Sequence, residues 1–513
     1  MKRDLEATWA YHNGTKHSFQ SVRSNPHYLD WKNRPLPFKI YATLESIALS
    51  RDASRSEYPA LKAISSVEPY FDDICVPDLS MLAQLLYYSA GITRQRKGPG
   101  PEILFRAASC TGALYHIDLY VVCGDLPGLE AGVYQFDVRE FALRRLRKGD
   151  FRGEVIRATG SESSVARAPV VIASASTYWR NAWKYQARTY RHCFWDNGTM
   201  LANLLAMAEA HEVPAQLLVG FDDATLSSLL GLDDLREGAL SLVALGRNLP
   251  PSAPPPEVKR LDLRTEPLSE TEVDYPAVQR MHAASSLTTR EQFAAWRGGR
   301  APASLPAPAG KAFPLQPLAD AEEPIDPIEQ VILRRGSTRE FALEPITFAQ
   351  LSTILRAATR GIPADFLDPP GATLNDLYLI VNAVDGLPGG AYVFHREQEA
   401  LELLKEGEFR SEAGFLGLEQ ALPATASVDV FFLTDLERVL NQFGNRGYRA
   451  AQLEAGIIGG KLYLAAYAQR LGASGLTFYD DAVTEFFSPH AQGKSVMFLV
   501  ALGRSAKRKH GAS

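Results

Sequence analysis

No apolar run of 18 residues occurs anywhere in this 513-residue chain, so it offers no candidate membrane-spanning helix and no membrane is expected as a partner. The opening residues, MKRDLEATWAYHNGTKHSF, also lack the uninterrupted hydrophobic stretch of a secretory signal, and the expected address is cytoplasmic. Cysteine is scarce. Its four copies, Cys75, Cys110, Cys123 and Cys193, form no CxxC pair, which argues against a metal knuckle or a disulfide framework and leaves reduced thiols. Cys110, on an apolar-flanked loop, reads as an inert one. Nor is positive charge in excess: 54 Lys and Arg stand against 59 Asp and Glu, a net charge of −5, so nothing calls for nucleic acid as a partner. His12 and His17 lack a Cys or carboxylate pattern to complete a metal site, and solvated or capping roles are expected for them.

What is present is an ordinary globular composition, 46% apolar and 22% charged, in a chain long enough for two domains. Prolines cluster at Pro250, Pro251, Pro254, Pro255 and Pro256, and an Ala/Pro-rich run, RAPASLPAPAG, starts at Arg300. Proline lacks a backbone donor and favours extended chain, so residues 249–326 are expected to form a surface linker between domains 1–248 and 327–513.

The two halves repeat one another. YRHCFWDNG ends at Gly198 and YRAAQLEAG at Gly456, an offset of 456 − 198 = 258; LVALGR ends at Arg247 and again at Arg504, an offset of 504 − 247 = 257. Between these anchors GFDDA (Gly220 to Ala224) matches FYDDA (Phe478 to Ala482), and upstream DLYVV from Asp118 matches DLYLIV from Asp376. Ordered matches at one offset indicate a tandem duplication. Recurrence of Asp222-Asp223 and Asp480-Asp481 beside a turn favours helix capping over a catalytic carboxylate pair.

Each copy carries the same coarse elements. Leu79, Leu82, Leu85 and Leu86, and in the second copy Phe348, Leu351, Ile354 and Leu355, have the spacing of an amphipathic helix. LYVVCGDLPGLEAGVYQF and LYLIVNAVDGLPGGAYVF read as strand pairs joined by a Leu-Pro-Gly turn, and SVMFLVAL as a final strand. A helix from about Tyr448 to Leu471 is apolar on most sides and must be buried. Its Gly456, Gly459 and Gly460 either relieve crowding within a domain or admit another backbone at a central contact. Helices with a mostly antiparallel sheet make the expected fold class α+β.

Two segments carry chemistry. RRGSTREF, Arg334 to Phe341, interleaves arginine forks with a serine hydroxyl, a combination suited to a phosphomonoester, although arginine clusters also occur on solvated helix ends. WKYQARTYR presents Lys184-Tyr185; an aromatic-Lys-aromatic triplet serves packing with a snorkelling lysine, or supplies a base when burial and neighbouring cations lower its pKa.

With RRGSTREF, AGITR (Ala90 to Arg94), RAASCTGALYHIDLYVV from Arg106, WKYQARTYR, LDWKNRPLPFKIY and both LVALGR segments, the chain resembles the nitroreductase superfamily, and more narrowly its SagB-type (thiazole/oxazole oxidase-like) branch. The resemblance implies FMN at an interface between two copies, here folded together as an intramolecular pseudo-dimer. It assigns the FMN phosphate to Arg334, Arg335, Ser337 and Arg339 with Arg504, the ring to Arg106 and the Ser109-Cys110 loop, and the pyrimidine side to the backbone of Gly475 and Leu476. Ser109-Cys110 stands where Pro-Ser is usual in the family.

The copies have diverged in complementary ways. ISSVEPYF (Ile64 to Phe71) replaces the arginine segment in the first, and ADFLDPPGATLNDLY (Ala364 to Tyr378) replaces the ring loop in the second. One composite site remains, implying about one FMN per chain. The branch uses a Lys-Tyr pair; Lys184 and Tyr185 survive only in the first copy, where the second has Gln442-Phe443. The resemblance therefore implies an FMN-dependent oxidoreductase that dehydrogenates an azoline in a modified peptide, with Lys184 as base and Tyr185 as its partner. The alternatives are a general nitroreductase or quinone reductase acting on small molecules with NAD(P)H, and a non-catalytic flavin- or peptide-binding scaffold.

Overall fold

The computed structural model describes all residues except 1–3, 25, 52–54, 68–73, 97–102, 248, 250–253, 302–304, 369–370 and 507–513. Pro250, Pro251, part of ISSVEPYF and Pro369-Pro370 thus lie outside the described residues.

Runs of residues buried on both faces build the central strands of two seven-stranded sheets with the same strand order. In space, the first runs Ser46–Ala48, Ala142–Lys148, Gly132–Asp137, Ile117–Cys123, Val170–Thr177, Glu237–Leu245, Ala215–Leu218. The second runs Ala312–Pro314, Ala400–Glu406, Gly390–His395, Asp376–Val381, Val428–Thr434, Ser495–Gly503, Gly472–Leu476. Every pairing within both is antiparallel, and with the helices packed on them the fold is α+β. Even the irregularities recur: register shifts at Val133/Tyr134 and Ser174/Ala175 return at Ala391/Tyr392 and Phe432/Leu433, each 258 residues on. A bulge inherited at the same place in both sheets is a mark of duplication that no single-sheet packing argument would produce.

The amphipathic helices form as their spacing requires, over Leu79–Ala90 and Phe348–Thr359. Asp78 caps the first through Met81 N, and a Thr347/Gln350 capping box starts the second. The long helix of the second copy spans Arg446–Ala468, and its twin Thr189–Ala210; nearly every residue of both is buried. These helices cross at their glycines. A Cβ on Gly198 would stand 2.5 Å from the Gly456 carbonyl carbon, and one on Gly456 would stand 2.7 Å from the Trp195 carbonyl oxygen. Gly460 likewise clears Ala202, whereas Gly459 makes room for Phe498 of its own copy's sheet. Two of the three glycines therefore serve the central contact and one serves its own domain.

Buried ion pairs repeat across the same pseudo-twofold. Arg188 and Arg191 of the first copy reach Asp480 of the second at 3.0 and 2.6 Å; Arg446 and Arg449 of the second reach Asp223 of the first at 2.6 and 2.7 Å. The capping expectation for the aspartate pairs thus holds only for Asp222, which accepts from Thr225 N, while Asp481 pairs with Lys16. Burial alone would raise the pKa of Asp223, but Arg446 and Arg449 hold it below the usual carboxylate value; Arg188 and Arg191 do the same for Asp480. His12, expected to be solvated or capping, is fully buried beside Tyr448 Oη at 3.4 Å, and burial holds its pKa well below the ordinary value.

The described residues of the Pro-rich connection are not a bare surface linker. They carry helices Pro276–Ala284 and Arg290–Arg297, bury Met281 and Trp296, and supply the edge strand Ala312–Pro314 of the second sheet. Proline restricts its stretches to extended chain, but the apolar residues between them reach both cores.

Candidate functional site

The crossing of the central helices brings RRGSTREF of the second copy against the ring-side loop of the first. Helix Ile328–Arg334 ends at Arg335, whose guanidinium, 7% exposed, donates from Nε and Nη2 to the Ala107 carbonyl at 3.1 and 2.8 Å and from Nη2 to the Arg106 carbonyl at 3.2 Å. Arg335 and Arg106 are therefore immediate neighbours. Thr338 fixes the far end of the segment: its N–H donates to Ala473 O at 2.9 Å and its hydroxyl bonds Ser505 Oγ at 2.9 Å. Gly472 permits this approach, since a Cβ there would lie 2.2 Å from Thr338 Oγ1.

Ser337 Oγ meets Tyr463 Oη at 3.3 Å, and that same hydroxyl accepts from Gly475 N–H. One tyrosine thus ties the serine expected on the phosphate side to the backbone expected on the pyrimidine side. Next in the chain, Leu476 is half-buried and Thr477 Oγ1 is buried without a hydrogen-bond partner among the described residues. Arg339 is exposed, and Arg94 lies on the hairpin Ile92–Arg96/Ile103–Arg106 with Nη2 3.5 Å from where a Gly336 Cβ would stand. Among the described residues no carboxylate pairs with Arg94, Arg339 or Lys184.

The other expected cations are otherwise engaged. Arg334 is drawn to Asp326 at 2.7 Å and donates to Tyr467 O. Arg504, with 41% of its side chain exposed, donates to Pro345 O at 3.0 Å beside Glu344. Arg106 is 5% exposed and donates to Ile117 O at 3.2 Å and Pro37 O at 2.7 Å, between the rings of Phe38 and Tyr115. Burial pushes its pKa down to about 10 against the pull of Asp118. Arg106 braces the loop from behind, and it is its carbonyl, not its guanidinium, that meets Arg335.

The loop itself is held by Asp196 of the central helix. That carboxylate accepts from Thr111 N and Oγ1 at 2.9 and 2.8 Å and from Cys110 Sγ at 3.1 Å, and bonds His116 Nε2 at 2.9 Å. Ser109 O accepts from Thr199 Oγ1 at 2.8 Å. Cys110, His116 and Asp196 offer ligand atoms within 4.8 Å of one another, a trio that spacing in the chain could not reveal. Their atoms already satisfy one another, with Ser176 on His116 Nδ1 and Tyr115 N–H on the sulfur. Burial and then Asp196 push the Cys110 thiol well up, so it stays protonated. In the second copy Glu454 does the same work, accepting from Leu374 N, Asn375 N and Asn375 Nδ2.

Lys184 and Tyr185 close the short helix Tyr178–Tyr185, which stops at Gln186 with φ 50°, where the second copy uses Gly444 with φ 66°. A non-glycine residue held there stores strain of the kind found at functional positions. The N-terminal LDWKNR segment pins this helix: Trp183 Nε1 donates to Asp30 O at 2.9 Å and the Trp31 and Trp183 rings meet edge to face at 5.2 Å. Tyr185 Oη lies 2.9 Å from where a Gly112 Cβ would stand, so the hydroxyl rests on the ring-side loop. Its pKa is raised by burial and then by Asp196 and Cys110. Lys184 is exposed, and its pKa is lowered by partial burial and by Arg339 of the other copy. The Lys-Tyr pair of one copy therefore lies within electrostatic reach of Arg339 in the arginine-serine segment of the other.

This donor set suits a phosphorylated ring cofactor such as FMN: Arg94 and Arg339, free of carboxylate partners among the described residues, with the Ser337 hydroxyl for a dianion, and a buried Thr477 hydroxyl, unpartnered among the described residues, beside the backbone at Gly475-Leu476. Arg94 and Tyr463 were not singled out from sequence as site residues. The signal for Tyr463 was its i, i+4 repeat with Tyr467 on an otherwise apolar helix; Arg94 had only its place in AGITR.

Comparison with known proteins places these features in context. The profile of the Nitroreductase family matches residues 83–247 and again 332–504. A Methanocaldococcus jannaschii protein named as a nitroreductase is 30% identical over 175 residues, which is 33% of this chain and 86% of that protein. The trifolitoxin-processing protein TfxB of Rhizobium leguminosarum bv. trifolii is 28% identical over 176 residues, 33% of this chain but only 47% of its own length. A crystal structure from Anabaena variabilis, described as a nitroreductase, superposes over 98% of this chain and 99% of its own with a TM-score of 0.77 and 25% identity.

Proposed function

This chain belongs to the nitroreductase family, with the family domain present twice, and on that premise we propose that it is an FMN-dependent dehydrogenase of SagB type that oxidises an azoline in a modified peptide. The observation that carries the reading is that Arg339 of one copy lies close enough to Lys184 and Tyr185 of the other to act on the charge of both. A second such pairing has no side chains to form it, since Gln442-Phe443 holds the equivalent places. The similarity to TfxB, a toxin-processing protein by name, supports the peptide class of substrate.

In this reading Arg94, Ser337 and Arg339 bind the phosphate, and the backbone at Gly475-Leu476 meets the pyrimidine edge. Bound FMN would supply the two-electron acceptor for the oxidation. Lys184, with its pKa lowered, accepts the carbon-bound proton through its neutral amine. Tyr185, held protonated by burial and by Asp196, donates its hydroxyl hydrogen bond to the substrate beside that amine. Arg335 keeps the ring loop against the phosphate segment, so that the two copies present one geometry.

The test is turnover by the purified protein. Oxidation of an azoline peptide, lost in Lys184→Ala, supports the reading. Rapid NAD(P)H-dependent reduction of nitroaromatics or quinones without azoline oxidation would replace it with a general nitroreductase, the reading favoured by the similarity to the M. jannaschii protein.

A further inference from the structure

The pseudo-twofold that builds one crevice must also define its mirror, lined by the ring-side segment of the second copy and the phosphate-side segment of the first. An offset of 258 carries Tyr185 to Phe443, and an offset of 257 carries Leu476 and Thr477 to Val219 and Gly220. Val67 of ISSVEPYF abuts Gly361, as Arg94 abuts Gly336 in the other half.

Among the described residues, a side chain already occupies the ring side of that mirror crevice. Trp296, on the connecting helix Arg290–Arg297, is 2% exposed, with its ring 5.3 Å from Phe443 and 6.3 Å from Phe366. Its Nε1 donates to Asp365 Oδ2 at 2.9 Å, and the same carboxylate accepts from Val219 N at 2.9 Å and Gly220 N at 2.8 Å. A Cβ on Gly220 would fall 2.4 Å from the indole, so the position has room for the ring only as glycine.

We propose that Trp296 is an internal occupant of the second flavin crevice, so that the chain excludes a second flavin by filling its ring site as well as by lacking its phosphate arginines. The chemistry of substitution is direct. A planar heteroaromatic ring with an N–H edge lies against Phe443, and the Asp365 carboxylate supplies the acceptors that a pyrimidine carbonyl edge would offer the Val219 and Gly220 amides. The inference rests on the reading that the intact crevice holds FMN.

The test uses the full-length, FMN-saturated protein with lumiflavin, a flavin ring without phosphate, as the probe. Wild type and Trp296→Phe should hold about one FMN and take up no lumiflavin; Trp296→Gly should keep its FMN and bind about one equivalent of lumiflavin. A folded Trp296→Gly protein that binds lumiflavin no better than wild type overturns the proposal, as do two FMN per wild-type chain. Should the glycine variant fail to fold, amide exchange in wild type decides: the Val219 and Gly220 amides and helix 290–297 must be protected, and exchange at open-loop rates overturns the proposal. Wild type that retains no flavin while these amides stay protected defeats the FMN reading and leaves Trp296 seated in its crevice.

Discussion

Arg335 of the second copy donates through Nη2 to the carbonyl oxygen of Ala107 in the first, at 2.8 Å. This clasp, with its further bonds from Nε to the same carbonyl and from Nη2 to the Arg106 carbonyl, holds the arginine-serine segment of one copy against the Ser109-Cys110 loop of the other. Lysine has neither the fork nor the planarity to reproduce it. Arg335→Lys should weaken FMN retention at least about tenfold and lower stability by about 1.5–3 kcal/mol, the range for hydrogen bonds to a charged donor. Fluorescence titration of FMN and urea unfolding check the two effects.

Lys184→Ala and Tyr185→Phe should each reduce kcat by about 100-fold or more while leaving FMN bound, the scale expected for loss of a positioned acid or base. Flavin absorbance together with single-turnover rates separates this from loss of cofactor.

The pH–rate profile should respond to Arg339. A base acts as the free amine, so activity rises with pH through the pKa of Lys184, and partial burial and the Arg339 cation move that rise toward lower pH. Arg339→Gln removes one of the two causes and should shift the ascending limb to higher pH. A limb that stays in place would separate Lys184 from the titrating group.

The paired arginine-aspartate contacts should be equivalent in their energetics. Asp223→Asn and Asp480→Asn each strip the partner from two buried guanidiniums, and each should cost about 3–5 kcal/mol in urea unfolding. Both aspartates have depressed folded-state values. Their stabilisation is complete above the ordinary carboxylate range and is lost as pH falls through the depressed values, so acid should loosen the contact between the copies.

At the helix crossing, Gly198→Ala places a methyl 2.5 Å from backbone of the partner helix, which no rotamer change can relieve. About 1–3 kcal/mol of destabilisation is expected from such overpacking, against little effect for Gly14→Ala, where a Cβ would meet nothing within 4 Å. Thermal unfolding of the two variants side by side measures the contrast.

The duplication, the sheet and its central helices were legible in the sequence because two copies at one offset report on each other: a residue kept in both, such as Arg191 and Arg449, is seen against its twin. Directions of long side chains were not legible. Arg334, Arg335 and Arg339 occupy one short segment, yet Asp326 captures the first, backbone carbonyls the second, and only the third stands exposed and unpaired among the described residues. Arg106 similarly turns its charge into the fold. The proline-rich connection misled for a different reason, since its composition describes the extended stretches and says nothing of where Met281 and Trp296 are buried between them.

The strand Ala312–Pro314 has a practical consequence for anyone dividing this protein. It covers Ala400–Glu406, and a fragment begun at residue 327 would leave that strand's backbone donors and acceptors bare along the rim. Such a half-molecule is poised to aggregate by adding strands from other chains, whereas one begun ahead of residue 312 keeps its own border sealed.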